Sequence, residues 1–292
     1  MLKIEIDKFI NYLSFEKKYS FHTVRAYSKD LNDFHVFIQK ESIKSFSAIK
    51  KQHIHQYLYL LSVKKYTNKT VSRKLAAIKS FFNFLIRKKI LSYNIVKSVP
   101  SPKKEKKLPI FLTQDQISLL LKFSDQDNLR DNLILEIFYS TGIRISELIK
   151  IKKQDIDFNG NSINILGKGN KRRLVIFGNY AKKRLQDYLN YEGEEINNFL
   201  FPNLRESKNK HISEKTVFNI VKKYAFRVTQ NEKISPHSLR HTFATHLLNN
   251  GADLMSVKEL LGHEDLSSTQ IYAHVNIEQM KKAFKKAHPH AK

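Results

Sequence analysis

No cysteine occurs in the 292 residues. That excludes disulfides, thiolate zinc sites and thiol nucleophiles, and it agrees with a cytoplasmic chain. No uninterrupted apolar run approaches the roughly 20 residues needed to cross a bilayer, so no membrane partner is expected. The opening MLKIEIDKFI carries charges inside its apolar pattern and does not read as a signal peptide. No solenoid-type repeat is visible. Acidic residues are scarce: 27 Asp and Glu stand against 52 Lys and Arg, a net charge of +25. The excess is uneven. Residues 1–107 hold 24 Lys and Arg against 7 Asp and Glu, a net of +17, and the remainder of the chain holds +8. Such a balance favours a polyanion, nucleic acid before an anionic surface. With 41% apolar residues the chain has enough material for a core and is not a disordered polyelectrolyte.

Residues 1–97 read as helices joined by short turns. IEIDKFINYL places Ile6, Phe9, Ile10 and Leu13 at helical spacing, and TVRAYSKDLNDFHVFI places Val24, Tyr27, Leu31, Phe34 and Ile38 in one stripe, with Thr23 as N-cap. IHQYLYLLSV is a shorter helix. The longest, TNKTVSRKLAAIKSFFNFLIRK, sets Val71, Leu75, Ile78, Phe82 and Leu85 opposite Lys69, Arg73, Lys74 and Lys79. A basic face opposite an apolar one suits DNA, although an ordinary solvated face has the same pattern. Prolines and a charge run mark 98–109 as a linker. A basic linker between two basic domains would let the pair close around a duplex as a two-domain DNA clamp. From 110 to 292 the pattern is again largely helical. Thr113 and Gln116 are spaced as a capping box, Gly142 follows the apolar NLILEIFYSTG as a helix stop, and SINIL, GKGN and KRRLVIF read as a β-hairpin. Helices are expected at 181–191, 214–228, 237–249, 254–261, near 268–274 and at 277–287. The class is mainly α with a small antiparallel β-sheet.

Chemistry concentrates in the second part. His237 and His241 are four apart, as in zinc proteases, but Ser-Leu-Arg lies between them and Arg240 would repel a metal; no metal site is expected. An anion fits better. Pro236 precedes a helix, whose free N–H groups favour negative charge at its start, and Arg240 offers a planar donor fork. Arg144 follows Gly142 in an apolar context and needs a partner or a ligand, with Glu147 placed to orient it or a nearby histidine. Lys168 sits at the hairpin tip between glycines, His263 just past a helix-stopping glycine, and Tyr272 nine residues on. Singly, each has an ordinary reading: an Arg–carboxylate pair, a solvated turn lysine, a core tyrosine. Together they describe phosphodiester chemistry by covalent catalysis. Arginines neutralise charge at phosphorus, the tyrosine attacks to give a phosphotyrosine link, and the lysine protonates the departing 5′ oxygen. A side chain in place of water keeps the bond energy, so the strand is rejoined without ATP or any cofactor.

The segments STGIRISELIKI, GKGNKRRLVIF, PHSLRHTFATHLLNNGADLMSVKELLGHEDLSSTQIYAHV and AHPHAK resemble the tyrosine recombinase (phage integrase) family, Xer type. SFHTVRAYSKDLNDF and TVSRKLAAIKSFFNFL resemble its core-binding domain, with weaker specificity. The resemblance implies a helical core-binding domain (1–97) and a mixed α/β catalytic domain (110–292), with no further N-terminal arm-binding domain. It implies Arg144, Lys168, His237, Arg240, His263 and Tyr272 as catalytic residues, Tyr272 as nucleophile through a 3′-phosphotyrosine, and Glu147 in support. The implied partners are double-stranded DNA at a specific site, a homo-tetramer or, with a Xer paralogue, a hetero-tetramer, and an FtsK-type translocase. The implied task is resolution of chromosome or plasmid dimers. Mobile-element integration or transposition, DNA inversion, type IB topoisomerase action and non-catalytic DNA regulation are the alternatives. The last helix, with Ile277, Met280, Phe284 and Ala287 on one stripe, packs on its own domain if read alone; the resemblance implies docking on a neighbouring subunit.

Overall fold

The computed structural model describes residues 2–102, 110–167, 172–192, 198–203, 210–262 and 277–291. The chain folds as two compact units, Met1–Lys107 and Leu108–Lys292.

The first unit is built from α1 (Leu2–Asn11), α2 (Phe21–Lys40), α3 (Lys51–Val63) and α4 (Asn68–Arg87). One π-type turn, Tyr12–Glu16, extends α1. The cap of α2 differs from the sequence expectation. Ser20 is the N-cap, and its hydroxyl accepts from the Thr23 N–H, so Thr23 lies inside the first turn. Thr67 caps α4 in the same way. The apolar stripes of α1, α2 and α4 meet in an aromatic core. Phe9 packs on Phe81 with ring centres 5.4 Å apart, and Phe34 on Tyr57 at 5.1 Å. Each such fully buried ring or aliphatic chain contributes about 1.5–3 kcal/mol through removal from water.

The polar side of α4 departs from its sequence reading. Lys74 is not on a basic face: its side chain is 3% exposed, and its ammonium sits between Asp30 (3.1 Å) and Asp33 (2.6 Å) of α2. Arg73 also binds Asp30, which is fully buried. An ammonium out of water needs carboxylates, and α2 supplies them. Lys74 is thus corrected from a surface DNA contact to an interhelical ion pair. Lys79 donates to the Val99 carbonyl at 2.6 Å, and Lys69 is exposed.

The second unit opens with α5 (Gln114–Asp127), whose Thr113–Gln116 capping box is formed as its spacing predicts. α6 (Leu129–Thr141) is buried all round and forms the axis of the unit, packed by α5, α8 (Asn179–Glu192), α9 (Glu214–Thr229) and α10 (Pro236–Asn249). Between α6 and α8 lie the short α7 (Ile145–Leu148) and an antiparallel sheet, β1 (Ile156–Asp157), β2 (Ser162–Leu166) and β3 (Arg172–Ile176). The register Leu166↔Arg172 makes β2–β3 a hairpin whose connection is 167–171. β1 is too short to show a period in sequence. α11 (Leu254–Leu261) and α12 (Ile277–Ala287) complete the unit.

Within the chain, α12 and the residues after it lie on their own unit. Phe284 and Ala287 join Phe243, Leu247, Val257 and Leu260 in a small apolar cluster. The tail is then fixed by polar contacts. His288 Nε2 donates to the Tyr139 carbonyl (3.0 Å), its Nδ1 accepts from the His290 N–H (3.1 Å), and His290 Nδ1 meets buried Glu136 at 3.1 Å. The expected short helix near 268–274 lies outside the described residues.

Candidate active site

The site begins where α6 stops. Gly142 has φ +60, the left-handed value that releases the chain from the helix, and a Cβ there would come within 2.5 Å of the Phe243 ring. The chain turns through buried Ile143 into Arg144, the N-cap of α7. Glu147, three residues on, folds back over Arg144. One carboxylate oxygen accepts the Arg144 N–H (2.7 Å), and the other accepts Nη1 of its guanidinium (3.0 Å). Glu147 is buried, whereas the Arg144 side chain keeps 35% of its surface. Glu147 is thus placed to orient Arg144.

Arg240 reaches the same place from α10. Ser235 is the N-cap and Pro236 the first helical residue, so Arg240 lies one turn in, on the buried side. Its Nη1 donates to the Gly142 carbonyl (2.5 Å) and its Nη2 to the Leu261 carbonyl (2.6 Å) at the end of α11. A guanidinium has five donor hydrogens, so these two bonds fix its plane and leave others for a ligand. Burial, with the nearby charges of Arg144 and Arg173, pushes the Arg240 pKa down to about 10. It remains charged at neutral pH. His237 and His241 are exposed on the outer side of α10.

A third guanidinium, which the sequence reading missed, belongs to Arg173 on β3. Its Nη2 donates to Glu147 (2.9 Å) and its Nη1 to the Leu260 carbonyl (3.1 Å). Burial lowers its pKa also. Three arginines thus interact around one carboxylate, Glu147. Among the described residues this half-buried cluster carries a surplus of positive charge, which favours an anion, and planar forks suit the non-bridging oxygens of a phosphodiester. Lys168, His263 and Tyr272 lie outside the described residues, so of the six expected catalytic side chains the structure describes three. It brings Arg144 and Arg240 together and leaves His237 on the first turn of the helix that carries Arg240. Among the described residues no three His, Asp or Glu side chains converge as metal ligands.

This fold and arginine cluster define a class. Residues 110–279 match the phage integrase family, and residues 6–89 match the phage integrase N-terminal SAM-like domain. The chain belongs to the phage integrase family and is a Xer-type tyrosine recombinase. It is 38% identical over 296 residues to the tyrosine recombinase XerC of Anoxybacillus flavithermus (strain DSM 21510 / WK1), covering 98% of both chains. It is 40% identical over 297 residues to the tyrosine recombinase XerC of Staphylococcus aureus (strain JH9), covering 98% of this chain and 97% of that one. Its fold is similar to the XerH site-specific recombinase bound to palindromic difH substrate, a post-cleavage complex, with TM-score 0.72, 23% identity, and coverage of 90% of this chain and 79% of that one.

Proposed function

We propose that the chain cuts and rejoins DNA at one short specific sequence, with Tyr272 as nucleophile. The observation that carries this reading is the cluster in which, among the described residues, Arg144 and Arg240, with Arg173, interact around the carboxylate of Glu147. The Tyr272 oxygen attacks the scissile phosphorus. The bond to the 5′ oxygen breaks, leaving a 3′-phosphotyrosine and a free 5′ hydroxyl. Lys168 gives the 5′ oxygen its proton, because an alkoxide is a poor leaving group. Arg144 and Arg240, with His237 and His263, hold the non-bridging oxygens as charge builds on them. Attack by the 5′ hydroxyl of a partner strand reverses the step and releases the tyrosine, with no external energy source.

Both units engage the duplex in this reading, and the linker at 98–109 lets them do so together. Lys69, Arg73 and Lys79 of α4 provide backbone contacts, while Lys74 holds α4 against α2. Four copies, alone or with a Xer paralogue, act on two sites in the cytoplasm, and α12 passes to a neighbouring subunit in that assembly. The similarity to proteins named XerC supports resolution of chromosome dimers; an FtsK-type translocase is the partner this reading proposes. No described helix is long and apolar enough to cross a membrane.

The test is Tyr272→Phe. The variant is expected to bind the recombination site as wild type does and to form no covalent protein–DNA adduct; a normal adduct yield removes Tyr272 from this role.

A further inference from the structure

We propose that Arg173 is a positioning residue for strand cleavage: by bridging Glu147 to the end of α11, it locks the two phosphate-facing arginines into one frame. The proposal rests on the reading above, in which Arg144 and Arg240 hold the scissile phosphate.

Glu147 spends one oxygen on the Arg144 guanidinium and shares the other between the Arg144 N–H and Arg173 Nη2. Without Arg173 that second oxygen keeps only the Arg144 N–H and loses its charged partner, so the carboxylate is held on the Arg144 side alone. At its other end Arg173 holds the Leu260 carbonyl, while Arg240 holds the next one, Leu261. Two arginines from β3 and α10 therefore grip consecutive carbonyls of one helix end. Movement of that end changes the Arg240 plane, and movement of Glu147 changes Arg144.

Arg173 spends both terminal nitrogens on the protein, Nη2 on Glu147 and Nη1 on the Leu260 carbonyl, and its side chain is 19% exposed. Its Nε–H is buried and finds no acceptor among the described residues. That donor lies against Gly262, where an added Cβ would come within 2.6 Å of Nε. A buried unpaired donor carries a cost, which the two-point bridge offsets. Gly262 is thus needed twice, for its left-handed φ of +63 and for the close approach of Arg173. A positioning error of about 1 Å in such a frame lowers a rate by on the order of 100-fold.

The experiment uses the full chain and a duplex carrying the sequence it captures covalently from fragmented genomic DNA, nicked beside the cleaved phosphate. Single-turnover adduct formation is followed at saturating protein for wild type, Arg173→Ala and Arg173→Lys. Arg184→Ala, which breaks a surface pair with Asp125, is the control. Both Arg173 variants are expected to lower the rate constant by about 10- to 100-fold with unchanged DNA affinity and unchanged final adduct yield. The lysine fails because it keeps the charge and loses the fork. In 15N-arginine spectra of the free protein, the Arg144 Nε–H signal is expected to shift in both Arg173 variants and to stay in place in Arg184→Ala. A wild-type rate in either Arg173 variant overturns the proposal, as does a defect confined to final yield or to DNA affinity. Tyr272→Phe on the same duplex reports on the nucleophile alone, so an error in that assignment leaves the Arg173 comparison standing.

Discussion

Arg240 carries a full charge where water is largely excluded, and its two carbonyl partners explain how. Gly142 and Leu261 each accept one Nη hydrogen, so the guanidinium plane is set before any ligand arrives. A lysine has one nitrogen and cannot span both carbonyls. Arg240→Lys is therefore expected to slow cleavage by roughly 10²–10³-fold, the usual cost of losing one preorganised donor to a developing anion, measured as single-turnover adduct formation. At this scale the sequence was informative about types and less so about partners. Arg144 and Glu147 were readable as a pair because they are three residues apart on one short helix. Arg173 was not, since an arginine in a strand next to two other basic residues looks solvated until Glu147 and α11 are brought to it. Lys74 failed for the same reason, because Asp30 and Asp33 lie 41 residues or more away in the chain.

Among the elements, α12 and its tail are held by contacts that no helical period could disclose. His288 is almost fully buried, stacked on Phe284 with ring centres 4.7 Å apart, and burial pushes its pKa down to about 3. Both its nitrogens are satisfied only in the neutral form: Nε2 donates to Tyr139 and Nδ1 accepts from the His290 N–H. Because the folded pKa lies below the ordinary 6.5, docking is fully favoured above pH 6.5 and weakens as pH falls toward 3. Between pH 7.5 and 5 the expected loss is about 2 kcal/mol, read as faster carboxypeptidase trimming of the tail at the lower pH. A steric test is independent of protonation. A Cβ on Gly178 would come within 1.8 Å of the His290 carbonyl, so Gly178→Ala is expected to displace the tail and expose it to the same protease at pH 7.5. Trimming as slow as in wild type would refute that contact. The hairpin and the caps at Thr113, Gly142 and Gly262 were legible because turn and cap chemistry is local. The cap of α2 was misplaced by three residues, since Ser20 and Thr23 are equally competent and only the start of the apolar stripe ranks them.

Across the whole molecule, charge is the property most plainly written in the composition, and it predicts how DNA is held. Neutralising phosphates releases condensed cations, so affinity for the recombination site is expected to fall by at least about 100-fold between 50 and 200 mM salt, measured by fluorescence anisotropy. A flat response would indicate an interface that does not depend on phosphates. Proline and a charge run interrupt the apolar periodicity near the division between the units at Lys107 and Leu108, and the charge excess falls mainly on the smaller unit. The central claim, that a phenolic oxygen takes over the scissile phosphate, is tested most directly by digesting the trapped protein–DNA adduct and sequencing the nucleotide-linked peptide by mass spectrometry. The expected result is a 3′-phosphate linked to Tyr272. A link at any other residue, or cleaved ends carrying no protein, would contradict it.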